Sequence, residues 1–128
     1  MRQSGLLAIA ALLVASPVLA QSAHPAQPMV YFNDLIRKPE VASALKQQLS
    51  AEAMKAAKTY ATSGVNTPLT QSGALRTAFA CKPHYCDTDS VTIAFDQSGT
   101  VWSAYAKGGK VQVFGNPPPD VRAALTAK

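Results

Sequence analysis

Apolar positions recur with a helical period in the first half of the chain, from residue 29 onward. They predict three helical segments, at residues 29–35, 39–49 and 51–61. Pro39 occupies a first helical position, and Ser50 precedes the third segment as an N-cap. Gly64 predicts the end of that segment. The first half therefore predicts a helical layer with one apolar side.

Alternation of apolar and polar residues replaces the helical period after Pro68. It predicts strands at residues 73–80, 90–95, 101–106 and 111–114, with turns between them. The paired glycines 108–109 favour a tight hairpin, and the Ala-rich residues 120–127 predict a closing helix. Trp102, Tyr105 and Phe114 fall on strands and are expected to be core or half-buried residues. The predicted class is α+β, in which an antiparallel β-meander packs against N-terminal helices, with a short C-terminal helix, as a two-layer single domain.

The first twenty residues follow a separate pattern. Arg2 precedes an apolar run at residues 6–14, and small residues stand at 18–20. This order is typical of a secretory signal peptide, and the run is much shorter than the about 20 residues of a membrane span. A retained anchor is the alternative. We predict a signal peptide at residues 1–20, a disordered lead-in at 21–28 that contains His24, and a domain at 29–128.

Charge and length exclude several classes of protein. The 128 residues carry 12 Lys and Arg against 7 Asp and Glu, for a formal net charge of +5. These basic residues are spread along the chain and are not interleaved with aromatic residues, so no nucleic-acid partner is expected. After removal of the signal peptide no membrane span is expected either. The size suits one domain in an exported protein.

Both cysteines of the chain fall in one short segment between two predicted strands. Cys81 and Cys86 flank Lys82, Pro83, His84 and Tyr85. In an exported protein this pair predicts a disulfide, which stabilises a loop so small by only about 2 kcal/mol. Its larger effect is to restrict the shapes of the four enclosed side chains, as a recognition loop requires. The alternatives are a purely structural staple and a metal site of Cys81, His84 and Cys86, which lacks a fourth ligand.

The segment C-K-P-H-Y-C resembles the C-K-P-H-x-C signature of the inhibitor of vertebrate lysozyme (Ivy) family of Gram-negative bacteria. The signal peptide, the helical first half and the following strands agree with that family in their order, over roughly residues 29–115. The resemblance implies a periplasmic inhibitor of c-type lysozyme that acts against a host defence directed at peptidoglycan. It implies that loop 81–86 enters the active-site cleft and that His84 faces the two catalytic carboxylates.

The same resemblance suggests roles for the neighbouring residues. Lys82 adds a positive charge at the rim of the cleft, and Pro83 shapes the turn. Tyr85 stands where an acidic residue often occurs in the family, and Asp87 and Asp89 follow it as expected loop-flanking contacts. The disulfide loop is therefore the predicted interaction site, and a homodimer is a further expectation because some relatives dimerise.

Two other functions stay open at this point. The same loop can regulate an endogenous lytic transglycosylase, or the chain can be a periplasmic structural or binding module with a purely structural disulfide. No enzyme is expected, since the sequence contains no nucleophile elbow, phosphate loop or H-E-x-x-H element. No catalytic residue, metal or cofactor is therefore predicted.

Overall fold

The computed structural model describes residues 28–127. The predicted signal peptide at 1–20 and residues 21–27 of the predicted lead-in lie outside the described residues. The structure contains, in chain order, α1 (Phe32–Leu35), α2 (Pro39–Gln48), α3 (Ala51–Ser63), β1 (Val65–Asn66), β2 (Thr70–Ser72), β3 (Leu75–Cys81), β4 (Ser90–Phe95), β5 (Val101–Lys107), β6 (Lys110–Phe114) and α4 (Pro119–Thr126).

The strands form one six-stranded antiparallel sheet, in which β3, β4, β5 and β6 are the predicted meander. Two short strands were not predicted: β1 and β2 both pair with β3, along successive parts of it. Ser72 pairs with Leu75, so Gly73 lies in the turn between β2 and β3, with φ +61, and not in a strand as the sequence predicted. Strands this short carry too few alternating residues to be recognised from sequence.

One face of the sheet packs against the N-terminal helices. Its fully buried centre includes Phe32 and Leu35 of α1, Leu45 of α2 and Ile93 of β4. Ser50 caps α3 as predicted, since its hydroxyl accepts a hydrogen bond from the Ala53 backbone N–H at 3.2 Å. The helical layer is thus formed by the segments for which the apolar periodicity predicted helices.

The opposite face of the sheet packs against α4. Val121 and Leu125 of this helix contact the buried Trp102 and Ala104 of β5. The α+β class, the meander and the C-terminal helix are confirmed, but the two-layer arrangement is corrected to a helix layer, a sheet and a single helix. The reason is that β5 buries residues on both faces, so its outer face also needs an apolar cover.

The predicted core aromatics are confirmed. Trp102 and Tyr105 are buried and Phe114 is half-buried, with Trp102 on the α4 side and the other two on the helical-layer side. Within residues 28–127, no helix has the length and apolar character needed to cross a membrane.

Candidate functional site

The predicted disulfide is present between Cys81 and Cys86. Cys81 is the last residue of β3 and is fully buried, whereas Cys86 is exposed on the connection to β4. Their Cα atoms lie 4.9 Å apart. Residues 81–86, here called the disulfide loop, are therefore anchored at one end in the core and project into solvent at the other.

A tight turn forms the tip of the disulfide loop. The Tyr85 backbone N–H donates a hydrogen bond to the Lys82 carbonyl at 2.9 Å, which closes a four-residue turn. Pro83 fixes a negative φ at its second position, and His84 has a φ of +69 at its third. This combination defines a type II β-turn, whose third position usually holds Gly or Asn. His84 thus stands at the corner of the turn, in a left-handed conformation that histidine adopts more readily than most side chains.

A second set of backbone hydrogen bonds closes the base of the loop. The Tyr85 carbonyl accepts from the N–H groups of Thr88 at 3.0 Å and Asp89 at 2.7 Å. The Lys82 N–H donates to the Asp89 carbonyl at 3.0 Å, and the Thr88 hydroxyl donates to the Asp89 carboxylate at 2.7 Å. The backbone of Asp89 is therefore hydrogen-bonded to both Lys82 and Tyr85, the first and last residues of the turn. Its expected role as a contact beside the loop stays a prediction, as does that of the exposed Asp87.

Two neighbouring elements support this base from either side. The Gly109 N–H, in the hairpin between β5 and β6, donates to the Thr88 carbonyl at 3.1 Å. On the other side, the C-cap Gly64 of α3 lies directly against the backbone of Cys81. Sequence reasoning missed both supports, because contacts between residues so far apart in the chain leave no local pattern.

The side chains at the tip face solvent. Lys82, Pro83, His84 and Tyr85 are all exposed, and Tyr85 is 51 % exposed although it is aromatic. The Lys82 ammonium lies 4.7 Å from the centroid of the Tyr85 ring. The loop thus presents an imidazole at its corner and a cation stacked on an aromatic ring beside it.

An ion pair lies on the helical-layer side of the sheet. Lys107, at the end of β5, pairs with Glu52 of α3. The hydrogen bond and the charge of Lys107 hold the pKa of Glu52 below its ordinary value, and the same pair raises the pKa of Lys107. Burial raises the pKa of the neighbouring Tyr105. The pair joins α3 to the strand that leads into the supporting hairpin.

A metal or thiol chemistry does not suit this site. The sulfur atoms of Cys81 and Cys86 are bonded to each other, which removes the proposed Cys81, His84 and Cys86 ligand set. In the part of the chain that the structure describes, no group of three or more His, Cys, Asp or Glu side chains is placed to hold a metal ion. What the site offers is shape, a hydrogen-bonding imidazole and positive charge.

The comparison with known families gives the family of this chain. Residues 40–128 match the family model described as inhibitor of vertebrate lysozyme (Ivy), which covers more than half of the chain and the whole disulfide loop. The chain belongs to the Ivy family. Membership in a family of inhibitors accords with the expectation that the protein is not an enzyme. No curated protein and no solved structure matches the chain.

Proposed function

We propose that this Ivy-family protein inhibits c-type lysozyme from the periplasm by inserting its disulfide loop into the active-site cleft. One observation carries the proposal: His84 stands exposed at the corner of a type II turn that a disulfide closes. His84 is the only histidine among residues 28–127. Membership in the Ivy family supplies the class of target.

The chemistry of the target explains why an imidazole suits this position. A retaining glycosidase holds its two catalytic carboxyl groups about 5 Å apart. A protonated imidazole carries one N–H on each side of its ring, so it can donate a hydrogen bond to each carboxylate at once. The general acid and the nucleophile are then both occupied. Inhibition follows without a covalent step.

Rigidity of the loop makes the insertion favourable. A loop that is already ordered loses little conformational entropy when it binds. Here the Cys81–Cys86 bond, the Lys82–Tyr85 turn and the Asp89 hydrogen bonds all restrict the same short segment. The Lys82 ammonium adds a positive charge that an acidic cleft attracts during encounter.

The periplasmic setting rests on two features of the chain. The predicted signal peptide at residues 1–20 directs export, and the Cys81–Cys86 disulfide suits an oxidising compartment. In a Gram-negative cell, a periplasmic inhibitor meets lysozyme at the layer where the enzyme attacks peptidoglycan.

Steady-state kinetics test the proposal. The purified protein is titrated into a c-type lysozyme assay at several concentrations of a soluble oligosaccharide substrate. A plug in the cleft predicts competitive inhibition, in which KM rises with inhibitor concentration and kcat is unchanged. Absence of inhibition would contradict the proposed target, and inhibition that lowers kcat at constant KM would contradict the proposed site.

A further inference from the structure

The aromatic side chain of the disulfide loop has no role in the core. Tyr85 is 51 % exposed, and its ring lies under the ammonium of Lys82, with 4.7 Å between Nζ and the ring centroid. A cation within about 6 Å of an aromatic centroid is attracted by the negative face of the ring. Tyr85 and Lys82 therefore interact with each other at the surface.

The turn itself brings these two side chains together. Lys82 is its first residue and Tyr85 its fourth, and the first and fourth Cα atoms of a β-turn lie within about 7 Å of each other. The stacked pair consequently spans the open end of the turn whose corner is His84. Any force that holds Lys82 against Tyr85 also holds the turn closed.

We propose that Tyr85 is a positioning and specificity-determining residue of the loop, which fixes the Lys82 ammonium across the open end of the His84 turn without neutralising it. This inference rests on the proposed function for the identity of the target. An acidic side chain at position 85 would pair with Lys82 and cancel its charge, whereas a neutral ring holds the ammonium and leaves the charge available. The loop is thereby suited to a cleft that carries acidic groups at its rim in addition to the two catalytic carboxylates.

Three substitutions at these two positions separate positioning from direct contact. Tyr85→Leu removes the ring, Tyr85→Phe keeps it, and Lys82→Met removes the charge but keeps the length of the side chain. We expect Tyr85→Leu to raise the inhibition constant about two- to fivefold, the range of an exposed cation–π pair, and Tyr85→Phe to leave it nearly unchanged. In the Lys82→Met background, Tyr85→Leu should have no further effect.

The additivity of these effects decides the mechanism. If Tyr85→Leu weakens inhibition equally in both backgrounds, the ring contacts the partner directly and the positioning role is wrong. Lys46→Met, which removes one exposed positive charge from α2, is the matched control for net charge and should leave the inhibition constant unchanged.

A measurement on the free protein tests the stacking without lysozyme. Protons on the carbon next to the Lys82 ammonium should resonate upfield in the NMR spectrum, because the ammonium that they adjoin lies over the ring. The shift should persist in Tyr85→Phe and disappear in Tyr85→Leu. Unshifted Lys82 protons in the parent would overturn the inference even if the parent inhibits lysozyme. A parent that shows the shift but does not inhibit would contradict the proposed function and the choice of target, and would leave the positioning of Lys82 supported.

Discussion

A Cβ atom on Gly64 would overlap the carbonyl oxygen of Cys81, the residue that anchors the disulfide loop in the core. It would also stand 2.7 Å from the carbonyl oxygen of Tyr60, in the last turn of α3. The φ of Gly64 is −96, which any residue adopts, so glycine is required here by the lack of space and not by backbone conformation. The end of α3 thus packs on the loop anchor at a distance that only a hydrogen side chain permits.

Gly64→Ala is therefore expected to destabilise the protein. Forcing a methyl group between two backbone segments costs about 1–3 kcal/mol, which urea denaturation measures as a lower midpoint. An increase in stability would contradict this expectation, because replacing Gly by Ala stabilises a protein by about 0.4–1 kcal/mol where a methyl group fits.

Reduction of the Cys81–Cys86 bond is expected to weaken inhibition more than it weakens the fold. The bond closes only a short segment, so its loss removes about 2 kcal/mol of stability by the loop-length model. The main core between the helical layer and the sheet is unaffected. Far-UV circular dichroism of the reduced protein should be nearly unchanged while its inhibition constant rises. Unchanged potency after complete reduction would show that the disulfide does not preorganise the loop.

His84→Gly is expected to stabilise the protein while it abolishes inhibition. A left-handed conformation costs a side-chain-bearing residue about 1–2 kcal/mol, and glycine adopts it freely. With φ +69 at this position, the substitution should raise the free energy of unfolding by about 1 kcal/mol, part of the gain being lost to a more flexible unfolded chain. A lower thermal midpoint would show that the His84 side chain makes contacts that support the fold.

We expect the turn between β4 and β5 to stabilise the fold by an amount that falls in acid. The Asp96 carboxylate accepts hydrogen bonds from the Ser98 hydroxyl at 2.6 Å and from the Ser98 and Thr100 N–H groups at 3.0 and 3.1 Å. The Ser98 hydroxyl is the main cause that holds the pKa of Asp96 below its ordinary value of 3.8. Because the folded pKa lies below the unfolded one, this contribution is present above pH 3.8 and is lost as the pH falls through the folded pKa.

Asp96→Asn tests this direction of the pH dependence of stability. The variant should be less stable than the parent at neutral pH, and the difference should shrink as the pH falls below 3.8. Ser98→Ala, which removes the principal hydrogen bond, should lose this contribution to stability at a higher pH than the parent does. A stability difference between parent and Asp96→Asn that is constant down to strongly acidic pH would contradict the assignment.

Local sequence patterns were sufficient to predict the helices and strands that have a clear periodicity or capping residue. Pro39 and Ser50 mark the starts of α2 and α3, and the alternation around Ile93 marks β4. The disulfide followed from the isolated pair of cysteines. These features depend on neighbours within a few residues, which a single sequence displays.

Features that depend on long-range packing were not accessible in the same way. Strand β1 exists because Val65 and Asn66 meet the end of β3, and α4 crosses to the outer face because Trp102 needs a cover there. The supports of the loop at Gly64 and Gly109 follow from the same packing. The position of the candidate site in the chain could therefore be predicted from the sequence, whereas the contacts that support its shape could not.

The inhibition constant of His84→Ala against c-type lysozyme tests most directly whether His84 acts at the active-site cleft. His24→Ala is the matched control, since it removes the other histidine of the chain from the predicted lead-in. We expect His84→Ala to abolish inhibition while its thermal midpoint stays near that of the parent, and we expect His24→Ala to inhibit like the parent. Full inhibition by a folded His84→Ala variant would show that His84 does not carry the inhibition.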